Sequence, residues 1–112
     1  MNFKKVITGC VFFIIMLCSL LSYAETVWID VRSADEHMID NIEGDTRISH
    51  SVIVAETTKM FSDKDTKIGL YCRTGGRASK ARALLLDAGY TNVFNVGGLN
   101  DARKARGMTE AQ

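Results

Sequence analysis

The sequence predicts a small α/β domain with a mainly parallel sheet of four to five strands and helices on both faces. Three observations predict it. Two runs, Thr26–Val31 and Lys67–Cys72, are rich in β-branched and aromatic residues with little polar alternation, as expected of strands covered on both faces. Segments with helical spacing lie between and after them, and strands alternating with helices imply crossover connections and a parallel sheet. The chain of 112 residues contains no proline and no internal repeat, and suits one domain with one modest core.

The chain opens on a segment that reads as a targeting signal. Lys4 and Lys5 precede a run from Val6 to Ala24 without a charged residue, and Ser22-Tyr23-Ala24 offers a small-x-small cleavage pattern. Residues 1–24 are therefore expected to be a secretory signal peptide and residues 25–112 an exported, periplasmic domain. The alternative is an uncleaved anchor formed by residues 6–23, since the run is only slightly short of a membrane span. Ile7-Thr8-Gly9-Cys10 carries the small residues of a lipidation site, but almost no apolar stretch precedes it, which argues against a lipoprotein.

Charge excludes one class of partner. The 14 Lys and Arg nearly balance 13 Asp and Glu, and no basic stripe or block of like charge appears, so nucleic acid is not an expected partner.

Within the domain, Thr26–Val31 is the first expected strand. Ser33 can cap a short helix with Asp35 and Glu36 in its first turn and Ala34, Met38 and Ile42 on one face. Gly44 ends it or turns the chain. Arg47–His50 is a weak strand candidate, Ser51–Phe61 an amphipathic helix, and Ser62-Asp63-Lys64-Asp65 a polar turn. Lys67–Cys72 follows as the second strong strand. The helix Ala78–Ala88 has Ala78, Ala81, Leu85 and Ala88 at helical spacing and Gly89 as its stop. Asn92–Val96 makes a last strand, Gly97-Gly98 a flexible turn, and Leu99–Arg106 a polar final helix.

Cys10 and Cys18 lie in the leader, so its removal leaves Cys72 as the only cysteine, unable to form an internal disulfide. A lone cysteine is often a small buried hydrophobe. The surroundings of this one point elsewhere. It stands at the carboxyl end of a strand, where functional loops gather in parallel sheets. A nucleophilic thiol must be held as thiolate. Gly75 and Gly76 permit positive φ, so that successive N–H groups can face Cys72, and the start of the next helix adds its free N–H groups. Arg73 and Arg77 supply guanidinium groups suited to oxyanions.

The loop Cys72-Arg73-Thr74-Gly75-Gly76-Arg77 resembles the Cys-Arg-x-Gly-x-Arg active loop of the rhodanese family. Trp28-Ile29-Asp30-Val31-Arg32-Ser33 is similar to the family's Asp-Val-Arg-Ser signature, with Glu36 at the acidic position that follows. Ala88-Gly89-Tyr90 and Val96-Gly97-Gly98-Leu99 are similar to its later Gly-Tyr and Gly-Gly segments. The resemblance spans about Thr26 to Arg106 and is greatest toward single-domain periplasmic thiosulfate sulfurtransferases of the phage-shock type. Two departures stand out: Asp40-Asn41-Ile42-Glu43-Gly44-Asp45 replaces a Gly-His-Ile-x-Gly-Ala run, and no aromatic residue follows the Gly-Gly pair, so the last helix is expected to pack loosely.

The resemblance implies a rhodanese-like fold and a persulfide exchange. Cys72 takes the outer sulfur of thiosulfate, a small anionic donor, and passes it to cyanide or to a thiol acceptor, with protein thiols among the candidates. It implies that amides from Arg73 through Thr74, Gly75 and Gly76 to Arg77 stabilise thiolate and persulfide, with Arg73 or Arg77 holding the donor. Relatives that act on phosphate esters or arsenate use a cysteine loop one residue longer, so the six residues from Cys72 to Arg77 favour sulfur transfer. Asp30 and Arg32 are read as structural, Asp30 bonding nearby backbone and Arg32 pairing with Glu36. His37 and His50 have no metal-ligand spacing with Cys72, so neither a metal nor a cofactor is expected. The alternative to an enzyme is a rhodanese-like module that binds a partner or senses oxidants through Cys72.

Overall fold

The computed structural model describes residues 26–109; the expected leader, residues 1–24, lies outside them. Among the described residues a four-stranded parallel sheet has the order β2-β1-β3-β4, formed by β1 (Val27–Asp30), β2 (Thr46–Arg47), β3 (Ile68–Cys72) and β4 (Val93–Gly98). Four helices complete it: α1 (Ala34–Ile39), α2 (Ile53–Met60), α3 (Gly76–Asp87) and α4 (Leu99–Ala105). The expected fold class is the one observed, with four strands.

Strand alternation divides the core in two. Ile29, Val31, Ile68, Leu70 and Cys72 face one side, where they meet Ile53 of α2 and Ala78, Ala81 and Leu85 of α3. Tyr71 faces the other with Ile42, with Leu99 and Ala102 of α4, and with partly buried Trp28 and Val96. All five residues of β3 are buried, because it has a strand on each side and helices on each face. Burial of each large apolar side chain is worth about 1.5–3 kcal/mol, so β3 fixes the position of Cys72 at its end.

Three local expectations change. The apolar face Ala34, Met38 and Ile42 does not form, because Asp40 is extended and α1 stops at Ile39. Ile42 then reaches the core from beyond the helix, while Met38 stays 77% exposed. The strand expected at Arg47–His50 contracts to β2, because Ser49 Oγ accepts a bond from the Ser51 N–H at 3.4 Å and opens a 3₁₀ turn at His50–Val52. Residues expected to start the next helix belong to that turn. Gly97 and Gly98 close strand β4 rather than form a turn, paired with Tyr71 and Cys72. They serve close approach, since a Cβ on Gly98 would lie 2.5 Å from the Arg73 carbonyl oxygen.

The last helix is not loosely packed. Arg103, 2% exposed, donates to Asp40 Oδ1 at 2.7 Å, and Arg106 donates to both oxygens of Asp45 at 2.6 and 3.0 Å. Tyr71 Oη adds a 2.6 Å bond to Asp45. Asp40 and Asp45, the two ends of the Asp40–Asp45 segment, thus tie the last helix to the chain after α1 by ion pairs.

Candidate functional site

Cys72 ends β3 and is 1% exposed. Just beyond it Gly75 adopts φ +100°, a left-handed conformation open to glycine at little cost, and α3 begins at the next residue. Gly76 is therefore the first residue of the helix and has no positive φ, contrary to expectation. The helix begins two residues before Ala78, which brings its first N–H groups over the thiol.

The Gly75 N–H donates to Cys72 Sγ at 3.0 Å. Burial by itself would push the thiol up, but the N–H groups of Ala78, Thr74, Gly75 and Arg77 outweigh it and hold the thiol below its ordinary value. The set differs from the expected run of Arg73 to Arg77, because the helical geometry from Gly76 onward aims the Ala78 N–H inward.

β4 supports the loop from below. Leu70 pairs with Asn95 but Tyr71 with Gly97, so Val96 is an extra residue that breaks the register. Asn95 spans the gap: its Oδ1 accepts from the Gly97 N–H at 2.8 Å and its Nδ2 donates to the Gly75 carbonyl at 2.9 Å. Asp101 Oδ2 accepts from the Gly98 N–H at 2.7 Å. Neither Asn95 nor Asp101 is apparent as a site residue from the sequence; the only signal is an asparagine two residues before a glycine pair.

The two arginines of the loop differ. Arg77 donates to Glu36 Oε1 and Oε2 at 2.7 and 2.9 Å, a forked pair that joins α3 to α1. This guanidinium draws the Glu36 carboxyl down to about 2. Arg73 is exposed and has no ion pair among the described residues.

The expected pairing of Arg32 with Glu36 does not occur. Arg32 turns back on Asp30, donating from Nε at 2.9 Å and Nη2 at 2.7 Å, and gives a further 2.6 Å bond to the Asp40 carbonyl. Asp30, fully buried, also accepts from the Arg32 backbone N–H at 2.9 Å, the backbone bond expected of it, and lies 2.9 Å from His37 Nδ1. Burial would raise the Asp30 carboxyl, but the bonds to Arg32 and His37 prevail and hold it below the usual range. Asp30 and Arg32 thus brace the ends of β1 and α1 near the loop.

Beside the loop a cavity of about 380 Å³ is lined by Arg32, Glu36, Ile39, Asp40 and Arg73. Of the residues from Cys72 to Arg77, Arg73 is the one that lines it. Among the described residues no group of three or more His, Cys, Asp or Glu is placed to hold a metal ion. The arrangement can stabilise an anion on Sγ and present one free guanidinium to an anionic ligand.

A family model described as the rhodanese-like domain matches residues 18–105. The thiosulfate sulfurtransferase PspE of Escherichia coli (strain K12) is 30% identical over 86 residues, covering 77% of this chain and 83% of that protein. A tRNA uridine(34) hydroxylase of Photorhabdus laumondii is 34% identical over 95 residues, 78% of this chain, but the chain spans only 26% of that protein. Among solved structures, a rhodanese with anions from E. coli has a TM-score of 0.65 and 30% identity, covering 68% of this chain and 89% of its own. The human single-domain sulfurtransferase TSTD1 has the same fold, with a TM-score of 0.61 and 24% identity over 80% of this chain and 90% of its own.

Proposed function

The chain belongs to the rhodanese-like domain family, and we propose that it transfers sulfane sulfur from thiosulfate or a related anionic donor to a thiol or cyanide acceptor through a persulfide on Cys72. The observation that carries this reading is the buried Cys72 Sγ with the Gly75 N–H 3.0 Å away and the thiol drawn down by four backbone donors. Likeness to a thiosulfate sulfurtransferase over most of both chains supports the choice of donor.

In the first step the Cys72 thiolate attacks the outer sulfur of thiosulfate. A bond forms from Sγ to that sulfur, the sulfur–sulfur bond of thiosulfate breaks, and its electron pair leaves on sulfite. The persulfide keeps one negative charge on its outer sulfur, toward which the N–H groups of the loop are suited. In the second step the acceptor attacks that sulfur and the electron pair returns to Cys72 Sγ. With cyanide the product is thiocyanate. No net oxidant or reductant is needed.

Arg73 is assigned to the sulfonate end of the donor. Arg77 is committed to Glu36 by two bonds, and Arg73 is not paired among the described residues. Arg77 then acts by fixing the first turn of α3. Residues 1–24 are assigned to export and cleavage after Ala24, which places the domain in the periplasm; N-terminal sequencing of the exported protein tests that assignment.

Thiocyanate formation from thiosulfate and cyanide is the direct assay. Turnover by the parent protein and its loss in Cys72→Ser are the expected results. Equal turnover in both would overturn the assignment of Cys72, and a sulfenic acid formed with peroxide but no sulfur uptake would favour the sensing module instead.

A further inference from the structure

We propose that Met38 and Ile39 at the end of α1, together with Arg73, form the docking surface for the sulfur acceptor, and that this acceptor is a protein thiol set in an apolar, acidic segment. The proposal rests on the sulfur transfer through Cys72 proposed above and names the partner of its second step.

Met38 and Ile39 are 77% and 85% exposed, more than any other large hydrophobic residue described. Isolated exposed apolar residues need no explanation; these two are adjacent in the chain, and one of them shares a cavity wall with Arg73. Ile39 is in the wall of the 380 Å³ cavity, opposite no other large apolar side chain.

Their exposure follows from how α1 is held. The helix buries no residue. Polar bonds hold it: the Ser33–Glu36 capping box at its start, the Glu36–Arg77 fork and the 2.9 Å His37–Asp30 contact at its side, and at its end the Arg32 bond to the Asp40 carbonyl and the Asn41 Nδ2 bond to the His37 carbonyl at 2.8 Å. A helix secured in this way does not need its apolar side chains for stability, which leaves Met38 and Ile39 free to face a partner. Methionine adapts to varied apolar surfaces and is enriched at interfaces.

Charge defines the rest of the partner. In the cavity wall Arg32 is neutralised by Asp30, Glu36 by Arg77 and Asp40 by Arg103, each at 2.7 Å. Arg73 is the one charged residue of that wall without an ion pair among the described residues. After sulfite has left, its guanidinium is open to a carboxylate. Cyanide has no apolar part to set against Met38 and Ile39. A polypeptide segment carries all three complements: a thiol, an apolar side chain and a carboxylate.

The transfer balances without a further reactant. The acceptor thiolate attacks the outer sulfur of the Cys72 persulfide, a new sulfur–sulfur bond forms on the acceptor, the bond to Cys72 Sγ breaks, and the electron pair returns to Sγ.

The test loads the full exported protein with thiosulfate, removes the donor, and follows sulfur passage to two synthetic peptides. One carries cysteine flanked by phenylalanine, leucine and aspartate; the other carries cysteine flanked by glycine and lysine. The parent is expected to prefer the first by about tenfold, the factor of one well-buried interface contact. Met38→Ser/Ile39→Ser is expected to lose that preference while still taking up sulfur from thiosulfate. No preference in the parent, or an unchanged preference in the double variant, would overturn the proposal. A parent that self-associates through these residues, with a monomeric double variant, would also overturn it by making the surface a contact between copies. If the parent takes up no sulfur at all, the sulfur-transfer reading fails first and this proposal fails with it.

Discussion

Arg77 and Glu36, 41 positions apart, hold each other through two bonds of 2.7 and 2.9 Å and tie the first turn of α3 to α1. The same Glu36 oxygen that meets Arg77 Nη1 also accepts from the Ser33 N–H at 3.2 Å. One carboxylate therefore caps α1 and clamps the helix that carries the loop amides. Glu36→Gln is expected to cost about 0.5–1 kcal/mol, as expected of a partly exposed pair. The pH dependence has a definite sign. The folded carboxyl lies near 2, below its ordinary 4.5, so the contribution is complete above 4.5 and is lost as pH falls toward 2. Thermal melts of parent and variant should converge as the pH is lowered through that window.

The thiol should titrate below an ordinary cysteine. Alkylation of Cys72 followed against pH is expected to show a midpoint below that of a free thiol, because four backbone donors outweigh its burial. Asn95→Ala removes the 2.9 Å support of the Gly75 carbonyl and should move the midpoint upward with the fold intact by circular dichroism. An unshifted midpoint would remove Asn95 from the positioning of the loop.

Gly98→Ala should displace the loop. The added Cβ would lie 2.5 Å from the Arg73 carbonyl oxygen, and backbone must give way. A loss of stability of about 1–3 kcal/mol is expected from overpacking. Thiocyanate formation should fall on the order of 10²-fold, as misplacing reacting groups by about an ångström does. Melting curves and turnover measured on the same sample separate the two effects.

Much of this was legible in the sequence. The Cys72 loop is a local feature, so strand, thiol, glycine pair and helix follow one another in the chain as they do in space. Lys67–Cys72 reads as a buried strand for the same reason. What escaped depends on residues far apart or on where a helix stops. Arg32 and Glu36 have the i,i+4 spacing of a helical ion pair, but Arg32 precedes the cap at Ser33 and lies outside α1, so that spacing does not bring them together. Met38 fits a helical apolar stripe that the extended backbone at Asp40 cuts short. Asn95 acts through a register shift in β4 that no periodicity announces.

Asp30 should be the least replaceable of the polar residues near the loop. It is fully buried, and its removal leaves Arg32, 6% exposed, without its carboxylate. Asp30→Ala is expected to destabilise by about 3–5 kcal/mol, the cost of an uncompensated buried charge. Chemical denaturation checks the magnitude. With its carboxyl held below the usual range, Asp30 contributes stability above the ordinary aspartate value that is lost as the pH falls through its own.

Intact-mass spectrometry of the protein after exposure to thiosulfate tests the central claim most directly. A gain of one sulfur atom is expected, discharged by cyanide with release of one thiocyanate per chain and absent from Cys72→Ser. No gain in the parent, or an equal gain in Cys72→Ser, would contradict a persulfide on Cys72.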